Sequence, residues 1–173
     1  MRYLKLIILT IFLLAYTNLY SAEEVYFVNI QKILNESKAG KGAQDVLKKD
    51  FASTNKKFAD ESNSLKKEET ELIAQKKSLS PEEYKKKVSA LRKKNIDFQN
   101  RRRAASSNFL KKKNNARNTL IKALNPILEK YMSENNVMMI LNEKNVVLAN
   151  TKRDLTKTII GLLDKELKSI KLN

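Results

Sequence analysis

Phe51-Ala-Ser-Thr-Asn-Lys-Lys-Phe58-Ala-Asp-Glu-Ser-Asn-Ser-Leu65-Lys-Lys-Glu-Glu-Thr-Glu-Leu72-Ile-Ala-Gln-Lys-Lys-Ser-Leu79 sets one large apolar residue at every seventh position. That repeat is a helical seam. The companion positions Thr54, Glu61, Glu68 and Gln75 are polar. Each heptad therefore supplies one strong contact, widened a little by Ala52, Ala59 and Ile73. Ser80-Pro81-Glu82-Glu83 then closes one helix and opens another. Ser80 suits an N-cap, Pro81 the first helical position, and the two glutamates oppose the helix dipole. So short a break predicts an antiparallel return.

The return carries Tyr84, Val88, Leu91, Asn95, Phe98, Arg102, Ala105, Phe109, Lys112 and Ala116 at alternating spacings of four and three. Three of these seam positions are polar or charged, so the pair can zip together without enclosing a thick core. Apolar density rises beyond Arg117, at Leu120, Ile121, Leu124, Ile127, Leu128, Tyr131 and Met132. Pro126 removes a backbone donor there and is expected to bend the helix.

Residues flanking the hairpin read differently. Val25-Tyr-Phe-Val-Asn-Ile30, Val137-Met-Met-Ile-Leu141 and Val146-Val-Leu-Ala-Asn150 have strand composition, and Asn142-Glu-Lys-Asn145 is the length of a hairpin loop. Leu155, Ile159, Leu162, Leu163 and Leu167 share one face of a last helix that Asp154 or Thr156 would cap. Three strands make a marginal sheet with open edges. The expected fold is therefore α+β: a small β-sheet oligomerisation body, residues 23–40 and 118–173, carrying a long α-helical hairpin arm, residues 41–117, with its tip near 79–83.

The 173-residue chain holds 35 Lys+Arg against 19 Asp+Glu, a net charge of +16, and has no His, Cys or Trp. Thiol and imidazole ligands, disulfides, and Ser-His or Cys-His pairs are thereby excluded. Gly40-Lys41-Gly42 lacks the frame of a nucleotide loop, and no isolated acidic pair suggests acid–base chemistry. Neither enzyme activity nor a cofactor is expected. Arg2 and Lys5 precede an eleven-residue apolar run, and Ser21-Ala22 follow it. This describes a secretory signal over residues 1–22, too short for a spanning helix. Tyr20 is bulky for the −3 position of a cut after Ala22, and Leu19 is little better for a cut after Ser21. An uncleaved anchor is the competing reading.

Residues 38–117 carry 23 basic and 10 acidic side chains, so most of the charge lies in the hairpin. Residues 85–117 of its returning half bear the triplets Lys85-Lys86-Lys87, Arg92-Lys93-Lys94, Arg101-Arg102-Arg103 and Lys111-Lys112-Lys113 against one acid, Asp97. A triplet spans more than half a helical circumference, so these form basic rings rather than a stripe.

The whole pattern resembles the periplasmic chaperone family called Skp or OmpH. The resemblance rests on the exported N-terminus, the opening Val25-Tyr-Phe-Val-Asn-Ile-Gln31, the Ser37-Lys-Ala-Gly-Lys41 step, and the closing Asp154-Leu-Thr-Lys-Thr-Ile-Ile160. It implies a jellyfish-like homotrimer in which three arms surround a cavity. Unfolded outer-membrane proteins would be held in that cavity without ATP, in the periplasm. A lipopolysaccharide site has been proposed for some members, so the resemblance admits anionic lipid or lipopolysaccharide as a further partner, with no position here matched to that site.

Under this reading Phe51, Phe58, Leu65, Leu72, Phe98 and Phe109 offer weak apolar contacts to a client. Lys85, Lys86, Lys87, Arg92, Lys93, Lys94, Arg101, Arg102 and Arg103 attract acidic chains. Val25, Phe27, Met138, Ile140, Val146 and Leu148 are the expected oligomerisation residues. For any one phenylalanine, packing between its own two helices is preferred to client contact. The alternative function is a basic coiled coil that binds anionic membrane lipid or nucleic acid. Export argues against nucleic acid, and the polar seams argue against deep insertion into lipid.

Overall fold

The computed structural model describes residues 24–172. Strand β1 is Glu24–Val28, followed by the short helix α1, Ile30–Glu36. Two long helices follow: α2, Lys38–Ala74, of 37 residues, and α3, Pro81–Glu134, of 54 residues. Strand β2, Val137–Asn142, and helix α4, Thr156–Glu166, complete the chain. The expected signal segment lies outside the described residues.

The tip forms as its residues dictate. A 3-10 turn over Gln75–Lys77 ends α2, and Ser80 caps α3 with a full capping box: its hydroxyl accepts from the Glu83 amide while the Glu83 carboxylate accepts from the Ser80 amide. Pro81 stands in the first turn, and α3 continues through Pro126 without ending there. At 1.5 Å per residue α2 is about 55 Å long.

The sheet departs from expectation. Among the described residues it has two strands, and they run parallel, with Tyr26 opposite Ile140 and Val28 opposite Asn142. The long hairpin serves as the crossover that parallel pairing needs. Residues 146–150 form no strand; Val147 and Leu148 stand fully out in solvent. Glu143–Asn145 is a 3-10 turn that does not lead into an antiparallel partner. Among the described residues the β-rich composition of 146–150 has no neighbouring strand to receive it.

The opposite edge of β1 is occupied instead by Asp154-Leu155-Thr156. Phe27 bridges Asp154, and the Leu155 amide donates to the Phe27 carbonyl at 3.0 Å. Asp154 Oδ1 accepts from the Thr156 amide at 2.8 Å and also from its hydroxyl; Thr156 Oγ1 in turn accepts from the Asn29 amide at 2.9 Å. The N-cap of α4 is Leu155, which makes no side-chain cap bond, so neither expected residue caps the helix; together Asp154 and Thr156 instead stitch α4 to the end of β1.

Val28, Ile33, Leu124, Ile127, Leu155, Ile159 and Leu163 form the main core, with Tyr26 and Ile140 packed against it. Leu34, Ala39 and Leu120 form a smaller cluster beside it. Between α1 and α2 the fully buried Ser37 caps α2, its hydroxyl accepting from the Gly40 amide at 3.2 Å. A Cβ on Gly40 would lie 1.8 Å from the Leu34 carbonyl oxygen. Only glycine permits this approach of the two helices. The Lys38 amide donates to Asp164 at 2.7 Å, tying the start of the hairpin to α4.

Candidate client-binding surface of the α-hairpin

The hairpin is held in one constant register. Lys87 Nζ donates to Gln75 Oε1 at 3.0 Å, Lys94 Nζ to Glu68 Oε2 at 2.7 Å and Lys112 Nζ to Asp50 Oδ2 at 3.1 Å. Arg101 donates both guanidinium branches to Glu61, one of them at 2.9 Å. In each of these four pairs the residue numbers add to 162. The polar companions of the α2 heptads thus have a job that their spacing did not announce: they receive the cations of α3. The Arg101 guanidinium beside Glu61 holds that carboxyl below its ordinary range.

Every basic triplet therefore commits one member to the hairpin: Lys87, Lys94, Arg101 and Lys112. Lys85, Lys86, Arg92, Lys93, Arg102 and Arg103 are exposed, and Arg102 lies 5.8 Å from the centre of the Phe98 ring. This split follows from helical geometry, since successive residues point about 100° apart and only one of three can face the partner.

The apolar residues divide as well. Leu65, Leu72 and Phe98 are buried between the helices, Phe98 with only 3% of its surface exposed. These three were expected to meet a client; in the single chain the helix pair itself covers them. Phe58 packs edge-on against Phe98, ring centres 5.8 Å apart, and Phe51 lies 4.9 Å from Phe109. Phe51 nevertheless keeps 49% of its surface exposed. Between the two aromatic pairs the seam carries Thr54, Asn55, Ala105 and Ser106, and a cleft of about 690 Å³ opens there.

The expected oligomerisation residues also fall into two groups. Phe27 is buried and Ile140 packs on the core, so both serve their own chain. Val25, Met138 and Leu148 are exposed and Val146 is half-buried. Alternation along the strands puts Tyr26, Val28 and Ile140 against the helices, and leaves Val25, Met139 and Leu141 on the opposite face. Met139 and Leu141 were not among the expected residues because apolar residues run through 137–141 without alternation, which hides the two faces.

The family model described as outer membrane protein (OmpH-like) matches residues 24–163. The chain belongs to the OmpH-like family. No curated protein sequence matches it. The fold is similar to the crystal structure of a candidate outer membrane chaperone (OmpH-like) from Caulobacter crescentus CB15, with a TM-score of 0.81 and 19% identity. The similarity covers 88% of this chain and 90% of that one. The segments that carried the resemblance in the sequence now have structural reasons within this OmpH-like chain. Ser37 and Gly40 turn α1 into α2, and Asp154 and Thr156 anchor α4 on β1.

Proposed function

We propose that this OmpH-like protein is an ATP-independent periplasmic holdase chaperone. It binds unfolded outer-membrane proteins between basic helical arms and prevents their aggregation. The observation that carries the reading is the division of labour in the hairpin: one cation per triplet locks the two helices together, while its neighbours remain exposed around a seam with exposed aromatic surface. Such a surface offers long-range attraction to acidic chains and many weak apolar contacts, whose linkage provides avidity. Similarity to a candidate outer membrane chaperone points the same way.

In this reading residues 41–117 form the arm, and residues 23–40 and 118–173 form a trimerisation body. The uncovered sheet face, with Val25, Met139 and Leu141, supports assembly, because a sheet face of this kind is ordinarily buried. Residues 1–22 direct export and are removed.

The deciding experiment dilutes a urea-denatured β-barrel membrane protein into buffer with the mature chain at three subunits per client and no nucleotide. The client is expected to stay soluble. Aggregation at the rate of the client alone, together with tight DNA binding at physiological salt, would overturn the reading in favour of a nucleic-acid function.

A further inference from the structure

We propose that the cleft in the α2–α3 seam is a docking site for an aromatic side chain flanked by carboxylates on an extended polypeptide. The proposal rests on the holdase reading and narrows it from a diffuse basic surface to one subsite per arm.

The sequence itself creates the space. The heptads that pair Gln75 with Lys87, Glu68 with Lys94 and Glu61 with Arg101 would next bring Thr54 opposite Asn108. No hydrogen bond joins those two, and the ladder resumes only at Asp50 and Lys112, eleven residues from the previous pair instead of seven. A four-residue offset of this kind locally unwinds a heptad seam. At this level Ala105 and Ser106 supply no bulk, and Phe58 and Phe109 form opposite ends of the opening.

The chemistry of the lining selects the occupant. Phenyl rings of Phe51, Phe58 and Phe109 face the cleft, which has the size of a small-ligand pocket. An inserted ring meets other rings in the tilted or edge-on arrangements that aromatic groups prefer. The rim bears Arg102, Lys111 and Lys112 against one carboxylate, Asp50, which Lys112 already engages. Arg102 and Lys111 are left to face neighbouring carboxylates of the occupant, while a cationic segment would be repelled.

The test uses the full mature chain and an extended Gly/Ser peptide bearing Asp-(p-benzoylphenylalanine)-Asp. Photocrosslinks are expected at Phe51, Phe58, Ala105 and Phe109. A peptide with Lys in place of both Asp should bind about tenfold or more weakly. Filling the cleft by Ala105→Leu should weaken binding by a similar factor without loss of helical circular dichroism. Crosslinks confined to the arm tip or the sheet would overturn the proposal, and this map on the unmodified chain decides the matter even if the filled variant misfolds. Client protection by a chain that gives no cleft crosslinks rejects the subsite and leaves the holdase reading standing. Cleft crosslinks without client protection support the subsite and reject the holdase reading.

Discussion

Arg101 grips Glu61 from forty residues away with both branches of its guanidinium, so the two long helices meet in a defined register rather than sliding along a greasy seam. The pair is exposed, as are its counterparts at Lys94–Glu68 and Lys112–Asp50. Their value lies in alignment more than in stability, since each exposed ion pair contributes little alone.

This arrangement predicts acid sensitivity. Hydrogen bonds from Arg101 lower the pKa of Glu61, the Ser80 cap lowers that of Glu83, and Arg153 followed by Tyr26 lowers that of Glu24. A carboxyl whose folded pKa is depressed stabilises fully above its ordinary value of 4.5 and loses that contribution as pH falls through the lowered value. Thermal unfolding followed by circular dichroism should therefore show the melting temperature falling below about pH 4.5. Glu61→Gln should make that fall shallower, and an unchanged slope would count against the register lock.

Reversing the outward cations should separate client attraction from hairpin integrity. Glutamate at Lys85, Lys86, Lys93 and Arg103 leaves all four cross-hairpin pairs in place. Stopped-flow association with an acidic unfolded client should slow by roughly tenfold at low salt and lose most of its salt dependence. Reversal of Lys87 and Arg101 should instead lower the melting temperature, because Arg101 bonds to α2 and Lys87 to the turn that ends it.

Gly40 and Gly42 make an internally controlled pair. Gly40→Ala places a methyl group against the Leu34 carbonyl and should cost roughly 2–4 kcal/mol in urea unfolding. A Cβ on Gly42 meets nothing within 4 Å, so Gly42→Ala should stabilise α2 by about 0.5–1 kcal/mol.

The exposed sheet face, with the solvent-facing Leu148 beyond its edge, predicts the outcome of an assembly test. Met139→Asp and Leu148→Asp change side chains that are 42% and 92% exposed in the single chain, so the monomer fold should survive. Sedimentation of the proposed trimer should show its mass falling to that of a folded monomer. Phe27→Asp, in contrast, introduces a charge at a buried position and should lose the fold together with assembly.

Helix content was the legible part of this protein. Seven-residue spacing from Phe51 to Leu79, and the Ser80-Pro81-Glu82-Glu83 punctuation, specify two helices and the turn between them through interactions spanning a few residues. The basic triplets were equally plain, as was the apolar face of α4. The short helix α1 went unread, because Ile30–Glu36 is too brief to establish a period and follows directly from a strand.

What the sequence by itself determined was this local layer: helix, cap, charge and the absence of His and Cys. Only the tertiary structure decided which cation of each triplet faces Glu61, Glu68, Gln75 or Asp50, and that β1 takes β2 on one edge and Asp154-Leu155 on the other. These choices join residues 12 to 127 positions apart, where no local periodicity constrains the partner. The seam cleft belongs to the same layer, since a gap exists only once Thr54 and Asn55 are brought across the seam from Ala105, Ser106 and Asn108. Local patterns fix conformations within a few residues, whereas pairing is settled by which distant surfaces bury together, and that energy is not written in any one segment.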